Sequence, residues 1–216
     1  MRMKVVRLLP FVALLTVGAA LVFPGFAAAE EFHAELNPSD LEGLESTDAV
    51  LTVNGRTITC SEIVWVGITP EDAVETSLTP GFEPCNGFGR ATTATAQGCE
   101  FVLSEPVARL GSASIICPPG DKITFSVGGG ACTVTIGSEA IEGGMSYKND
   151  NSSELNLAQN RDITMEFGLT GLTATVSGSV LICGTNGART LSWSGAVTME
   201  AFVPEPFGPQ VGTWLA

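Results

Sequence analysis

The chain has 216 residues, 44% of them hydrophobic, and its 10 Lys and Arg against 23 Asp and Glu give a formal net charge of −13. That balance speaks against a nucleic-acid partner, because a phosphate backbone would repel such a surface. One histidine, His33, and the lack of any CxxC or Cys/His cluster remove most of what histidine-based triads and zinc sites require.

Residues 1–29 read as an export signal. Arg2, Lys4 and Arg7 form a basic start, Leu8 to Phe23 are mostly apolar, and Ala27, Ala28 and Ala29 supply small residues for cleavage after Ala29. The apolar run is shorter than the ~20 residues of a spanning helix, and Pro24 and Gly25 interrupt it. The expected product is secreted or held at the cell surface, with no stable membrane insertion after cleavage. Cleavage leaves 187 of the 216 residues, with seven cations against 23 acids, a net −16. That is enough chain for one domain with a substantial core.

Glu30 to Asp48 carries seven carboxylates, His33 and no Lys or Arg. Without a sustained apolar period it reads as an acidic arm (residues 30–48), a mobile leader or a short helix. The β domain is expected over 49–202. Val50–Val53, Asn54–Gly55 and Arg56–Cys60 form a hairpin signal, since Asn-Gly suits a type I′ turn. Continued past Cys60, one face holds Ile58, Cys60, Val64, Val66 and Ile68, broken by Glu62, which suggests a bulge or a strand break. Trp65 falls on the opposite face with Thr57, Thr59 and Ser61. Thr69 to Pro84 reads as an acidic, proline-bounded loop, and Phe88 to Ala96 as a threonine-rich strand.

Four short strands are then expected in a meander. Cys99, Phe101 and Leu103 alternate with polar or smaller neighbours, as do Ala113, Ile115 and Cys117. Ile123, Phe125 and Val127 follow, and Gly128–Gly130 turn the chain into Cys132, Val134 and Ile136. Gly137–Gly144 and Lys148–Asn160 read as loops, with Met145 and Tyr147 between them starting another strand. Ile163–Phe167, Leu172–Val176 and Val180–Cys183 read as strands, and Asn186–Gly187 as a second hairpin turn before Leu191–Met199. Residues 203–216, with Pro204, Pro206 and Pro209, form an irregular tail. The fold class is all-β, a sandwich or barrel-like meander of ten to twelve short strands.

Cys60, Cys85, Cys99, Cys117, Cys132 and Cys183 are an even set in an exported chain and read as disulfides. The strand reading favours Cys60–Cys85, Cys99–Cys117 across one hairpin, and Cys132–Cys183 as a long tie. Cys117–Cys132 across the Ile123–Val127 strand is the rival, and spacing does not choose between them. Cys60 in a threonine-rich strand, Cys85 before Asn86-Gly87-Phe88-Gly89, Gly98–Cys99, and Cys132-Thr133-Val134-Thr135-Ile136-Gly137 resemble secreted, cysteine-containing β-proteins of bacteria. The resemblance spans Ala49 to Phe202 and implies neither an activity nor a functional residue.

Candidate chemistry is sparse. Glu71, Asp72 and Glu75, or Glu139 and Glu142, are acids that a glycosidase could pair, although solvated loops explain them more simply. Asn149, Asp150, Asn151 and Glu154 offer oxygen ligands for calcium without the EF-hand spacing, but turn formation explains them more simply. Trp65, opposite Val64 and Val66, is the candidate ligand-stacking aromatic, although burial under a second sheet is the favoured reading because large aromatics are usually mostly buried. Trp193 shares a face with Leu191, Val197 and Met199 and belongs to the core. No catalytic residue, cofactor or metal is assigned. The expected role is a structural or binding module outside the cell. The alternatives are a domain that binds or cleaves polysaccharide, and an adhesin or inhibitor of another protein. Cell wall, polysaccharide or a protein is the expected class of partner.

Overall fold

The computed structural model describes residues 31–34, 38–69, 73–107, 109–151, 161–203, 210–211 and 213–215. The export signal and Glu154 lie outside them. Sixteen strands and one helical turn occur among the described residues: β1 (Phe32–Ala34), β2 (Ser39–Val53), β3 (Arg56–Cys60), β4 (Ile63–Thr69), β5 (Glu75–Phe82), β6 (Cys85–Gly87), β7 (Arg90–Thr95), β8 (Glu100–Val107), β9 (Leu110–Ile116), β10 (Ile123–Val127), β11 (Cys132–Ile136), β12 (Glu139–Asn151), β13 (Arg161–Gly178), α1 (Val180–Cys183), β14 (Gly187–Phe202), β15 (Gln210–Val211) and β16 (Thr213–Leu215).

Every pairing is antiparallel, and the ladder closes on itself twice. β2, β13 and β14 are long enough to serve two rings, with β14 flanked by the other two. At one end, β2 pairs with β3, and the ring continues through β6, β7, β10 and β11 back to β13. At the other end, β2 pairs with β4, and the ring continues through β5, β8, β9 and β12 back to β13. Each ring therefore has eight strands, an even number, as all-antiparallel closure requires, and neither leaves a long unpaired edge.

The partner exchange happens at a common waist. β2 leaves β3 after Ala49 and meets β4 at Leu44, while β13 leaves β11 at Ala174 and meets β12 at Phe167. Bulges interrupt β13–β14 and β2–β14 at the same level, which is how one strand bends to serve two rings.

Alternation fills both interiors. In the first ring Leu51, Val53, Ile58, Ile123, Phe125, Val127, Val134, Ile136 and Val176 are buried. Its outer face is a collar of hydroxyls, with Thr52 opposite Thr57, Thr124 opposite Thr135, Thr135 opposite Thr175, and Thr173 opposite Thr190. Such β-branched pairs suit a pleated surface, and we call this the threonine ring. The second ring encloses Leu41, Trp65, Leu78, Phe101, Leu103, Met145, Met165 and Met199. Acids of β2, β8, β12, β13 and β14, among them Asp40, Glu42, Glu100, Glu139, Asp162, Glu166 and Glu200, belong to its strands, so we call it the acidic ring. A β1–β16 ribbon lies against it, with Phe32 buried edge-on against Tyr147, ring centroids 5.6 Å apart.

Trp193 joins the two interiors. It is fully buried, and its ring lies 6.2 Å from Trp65, 5.1 Å from Phe101, 6.1 Å from Phe167 and 6.3 Å from Phe82, which in turn meets Phe125 at 5.3 Å. Gly43 makes room for this cluster: a Cβ there would stand 2.8 Å from Val197 Cγ1 and 3.0 Å from Trp65 Cβ.

Several expectations need correction. The acidic arm is neither leader nor helix, because Ser39–Asp48 forms most of β2 and Phe32–Ala34 forms β1. Thr69–Pro84 contains β5, Gly137–Gly144 opens β12, and part of the 203–216 tail forms β15 and β16. Pro80 is tolerated in β5 because pairing to β8 ends at Leu78, so the strand is locally an edge. The four central strands are two hairpins in different rings rather than a meander: β9 pairs with β12, and β10 with β7. Val180–Cys183 is a helical turn, and Asn186–Gly187 ends a longer connection instead of making a two-residue hairpin. Asn54–Gly55 turns as expected, with φ of 53° and 71°.

The three disulfides are Cys60–Cys85, Cys99–Cys117 and Cys132–Cys183, and the Cys117–Cys132 alternative is not formed. The first bridges directly paired residues of β3 and β6, the second clips the β8–β9 hairpin, and the third holds α1 to the start of β11. Serine at both Cys132 and Cys183 is expected to lower the unfolding free energy by about 4 kcal/mol, given the 51-residue separation; a urea titration checks this. Trp193→Ala is expected to cost about 3–5 kcal/mol. A cost below 1 kcal/mol (order of magnitude from single surface substitutions) would show that the waist does not depend on this ring.

Candidate functional site

The interior of the acidic ring is packed with side chains. The space bounded by Trp65, Phe101, Leu103, Met145, Met165, Phe167 and Leu169 measures about 10 Å³, room for one water at most. An organic ligand does not fit in that space.

Trp65 is not such a site. It is 2% exposed and packs edge-on against Phe101 at 4.9 Å, so its faces cannot stack on a sugar. The cause is a change of side at Ser61–Glu62. β3 ends at Cys60 and β4 starts at Ile63, so inward positions shift from Ile58 and Cys60 to Ile63 and Trp65. The break expected at Glu62 is real, and its consequence is that Val64, Val66 and Ile68 turn outward. Val66 is 49% exposed and Ile68 58%.

Those two residues line an open external trough of about 940 Å³. β2 contributes Asp40 and Glu42, β4 contributes Val66, Gly67 and Ile68, β5 contributes Ser77 and Thr79, and Glu100, Phe202 and Val203 complete the lining. Gly67 is required where β4 and β5 meet, because a Cβ there would collide with the Ser77 carbonyl oxygen. Leu44, 45% exposed, extends the apolar strip along β2. The rim is anionic, with Asp40, Glu42 and Glu100 all exposed. Glu200, directly opposite Glu42 in the β2–β14 ladder, is raised above the ordinary carboxyl range by burial, then by Asp162 and Glu42. The trough therefore offers apolar side chains between carboxylates, a chemistry suited to a cationic, apolar ligand.

The remaining candidates have other positions. The Glu139 carboxylate accepts from the Thr173 backbone N–H at 2.8 Å and from its hydroxyl at 3.1 Å, which braces β13 where it changes partner. Glu75 starts β5 and is exposed, and Glu71 and Asp72 lie outside the described residues. Asn149, Asp150 and Asn151 belong to the β12–β13 ladder rather than to a loop. His33 stands in β1, 3.9 Å from Glu31. All six cysteines are in disulfides, so no thiol is present.

Glu45 is a carboxyl driven far from its usual behaviour. It sits on β2 at the waist, where the partner strand changes. Both its carboxyl oxygens are out of solvent, and the Ala49 and Ile63 backbone amides face them without closing hydrogen bonds of normal geometry. Burial, with Asp48 and Glu62 adding repulsion, raises its pKa from 4.5 to about 7. The folded chain thus holds this proton more tightly than the unfolded chain, so the contribution is full below pH 4.5 and is lost as pH rises through about 7. Melting temperature should fall across that window, and Glu45→Gln should flatten the fall. An unchanged slope in the variant would show that the carboxyl is solvated.

Comparison with protein families, with curated proteins and with solved structures finds no match for this chain.

Proposed function

We propose that this protein is an exported binding module without catalytic chemistry, and that its ligand is an extended segment of another protein, apolar and positively charged, held in the β2–β4–β5 trough. The observation that carries this reading is the pairing of outward Val66 and Ile68 with the carboxylates of Asp40, Glu42 and Glu100. Filled ring interiors support an external site over an enclosed one. Three disulfides suit an oxidising compartment, and among the described residues no helix is long and apolar enough to cross a membrane. The polysaccharide reading loses its stacking aromatic with the burial of Trp65, and Glu139 is engaged by Thr173.

A photo-crosslinker at Ile68, introduced in the producing cell, should capture a discrete protein partner. Crosslinking should drop at least tenfold with Asp40→Asn and Glu42→Gln together, since each rim charge steers a cationic ligand. A crosslinker at Thr175 on the threonine ring serves as the control. Equal capture at both positions, or none at Ile68, would end this assignment.

A further inference from the structure

The threonine ring ends in a structured cap with a different character. Four connections meet there: Asn54–Gly55, Phe88–Gly89, Gly128–Ala131, and the segment from Ser177 to Asn186 that contains α1. They are tied to one another. Asn54 Nδ2 donates to the Cys183 and Thr185 carbonyls at 3.2 and 2.9 Å, Arg56 donates to the Leu181 and Ile182 carbonyls, and the Ser179 amide donates to Ala131 at 2.8 Å. The Cys132–Cys183 disulfide closes the set. This rigid cap presents its apolar residues to solvent: Val180 is 65% exposed and Leu181 89%.

The charge around them is opposite to that of the rest of the chain. Residues 49–61, 84–99, 122–138 and 167–199, which build this ring, contain no Asp or Glu. Arg56, Arg90 and Arg189, three of the seven cations beyond residue 29, stand at or beside the cap. Arg56 lies over the Phe88 ring at 5.8 Å, Arg189 donates to the Asn186 and Thr185 carbonyls, and the Arg90 stem runs beside Gly128. None has a carboxylate partner among the described residues. Asp48, the nearest acid along β2, is five residues below the turn, about 17 Å at strand rise. That exceeds the ~8–10 Å over which charge is felt at physiological salt.

We propose that this cap docks on an anionic lipid bilayer, with Leu181 and Val180 entering the boundary between headgroups and acyl chains and the three arginines meeting lipid phosphates. Projecting apolar side chains ringed by cations match that surface in both terms, apolar burial and attraction to anionic headgroups. An anionic polysaccharide would use the arginines but would leave Leu181 without a role. Phe88, half-buried beneath Arg56, gives no open ring for a sugar. The site is independent of the trough, which belongs to the other ring.

Leu181→Trp in the full chain places a reporter on the cap, read against the unsubstituted protein to remove the native tryptophans. Phosphatidylglycerol vesicles should shift its emission to the blue and phosphatidylcholine vesicles should not. Brominated acyl chains should quench it, and high salt should abolish the shift. Arg90→Gln should weaken the partitioning about fivefold, with circular dichroism unchanged. No shift on phosphatidylglycerol, or an equal shift on both lipids, would overturn the proposal. A shift on polygalacturonate without quenching by brominated lipid would overturn it in favour of a soluble polyanion.

Discussion

Both rings close on the same three strands, and that sharing is the constraint on which the rest of the molecule depends. β14 is paired on both sides from Leu191 to Met199, to β13 and to β2. Each outer strand then has one free edge, divided between two partners. Had either outer strand been half as long, one ring would have been left with open edges, which invite pairing with other chains. The length comes from continuous alternation: Ile163, Met165, Phe167 and Leu169 in β13 and Leu191, Trp193, Val197 and Met199 in β14 all point inward.

The waist is where the ladder departs from regular pairing and where it is reinforced. Bulges displace the inward register of β13 and β2 as the partners change, and two unlike devices occupy the gap. Trp193 and its aromatic neighbours fill it with large rings, and edge-to-face pairs of this kind are worth about 0.5–1.5 kcal/mol each beyond area burial. Glu45 sits at the same level with its carboxyl drawn out of solvent. The aromatic contact holds the rings together at any pH, whereas the carboxyl favours the folded state only while protonated. The disulfides lie away from this point, fastening the edges of individual hairpins and the cap.

The two rings present unlike surfaces because charge is segregated along the chain. Every acid falls outside the four segments that build the threonine ring, and the strands between those segments build the acidic ring. Alternate use of the chain by the two rings thus turns a segregation along the sequence into a polarity along the molecule. One end carries arginines around an exposed Leu181, and the other carries the trough rimmed by carboxylates. A module that rests on a lipid surface by one end and holds a cationic protein segment at the other would use both, with the apolar waist as the rigid spacer between them.

Much of this was legible in the residues, for local reasons. Period-two alternation identified β8 to β11, because a half-buried strand imposes that period. Asn54–Gly55 announced its turn through its tolerance of positive φ, and the preferred disulfide pairing followed from which runs were hairpins. The strands in 39–48 and 75–82, and 139–151 apart from Met145 and Tyr147, were hidden because acids, glycines and prolines suppress the local signal, and only pairing with neighbours overrides it. Trp65 was assigned to the wrong side for a related reason: a two-residue break at Ser61–Glu62 reverses every side chain that follows, and parity cannot be counted across it. The same reversal hid Val66 and Ile68, and reading Val180–Cys183 as a strand hid the cap, although Ser179 and Gly184 bracket that turn. By itself, the sequence determined the all-β class, the disulfide set and the segregation of charge, since these follow from composition and short-range pattern. Ring closure, the waist and the two outward surfaces were decided only by the tertiary structure, because they depend on which distant edges meet.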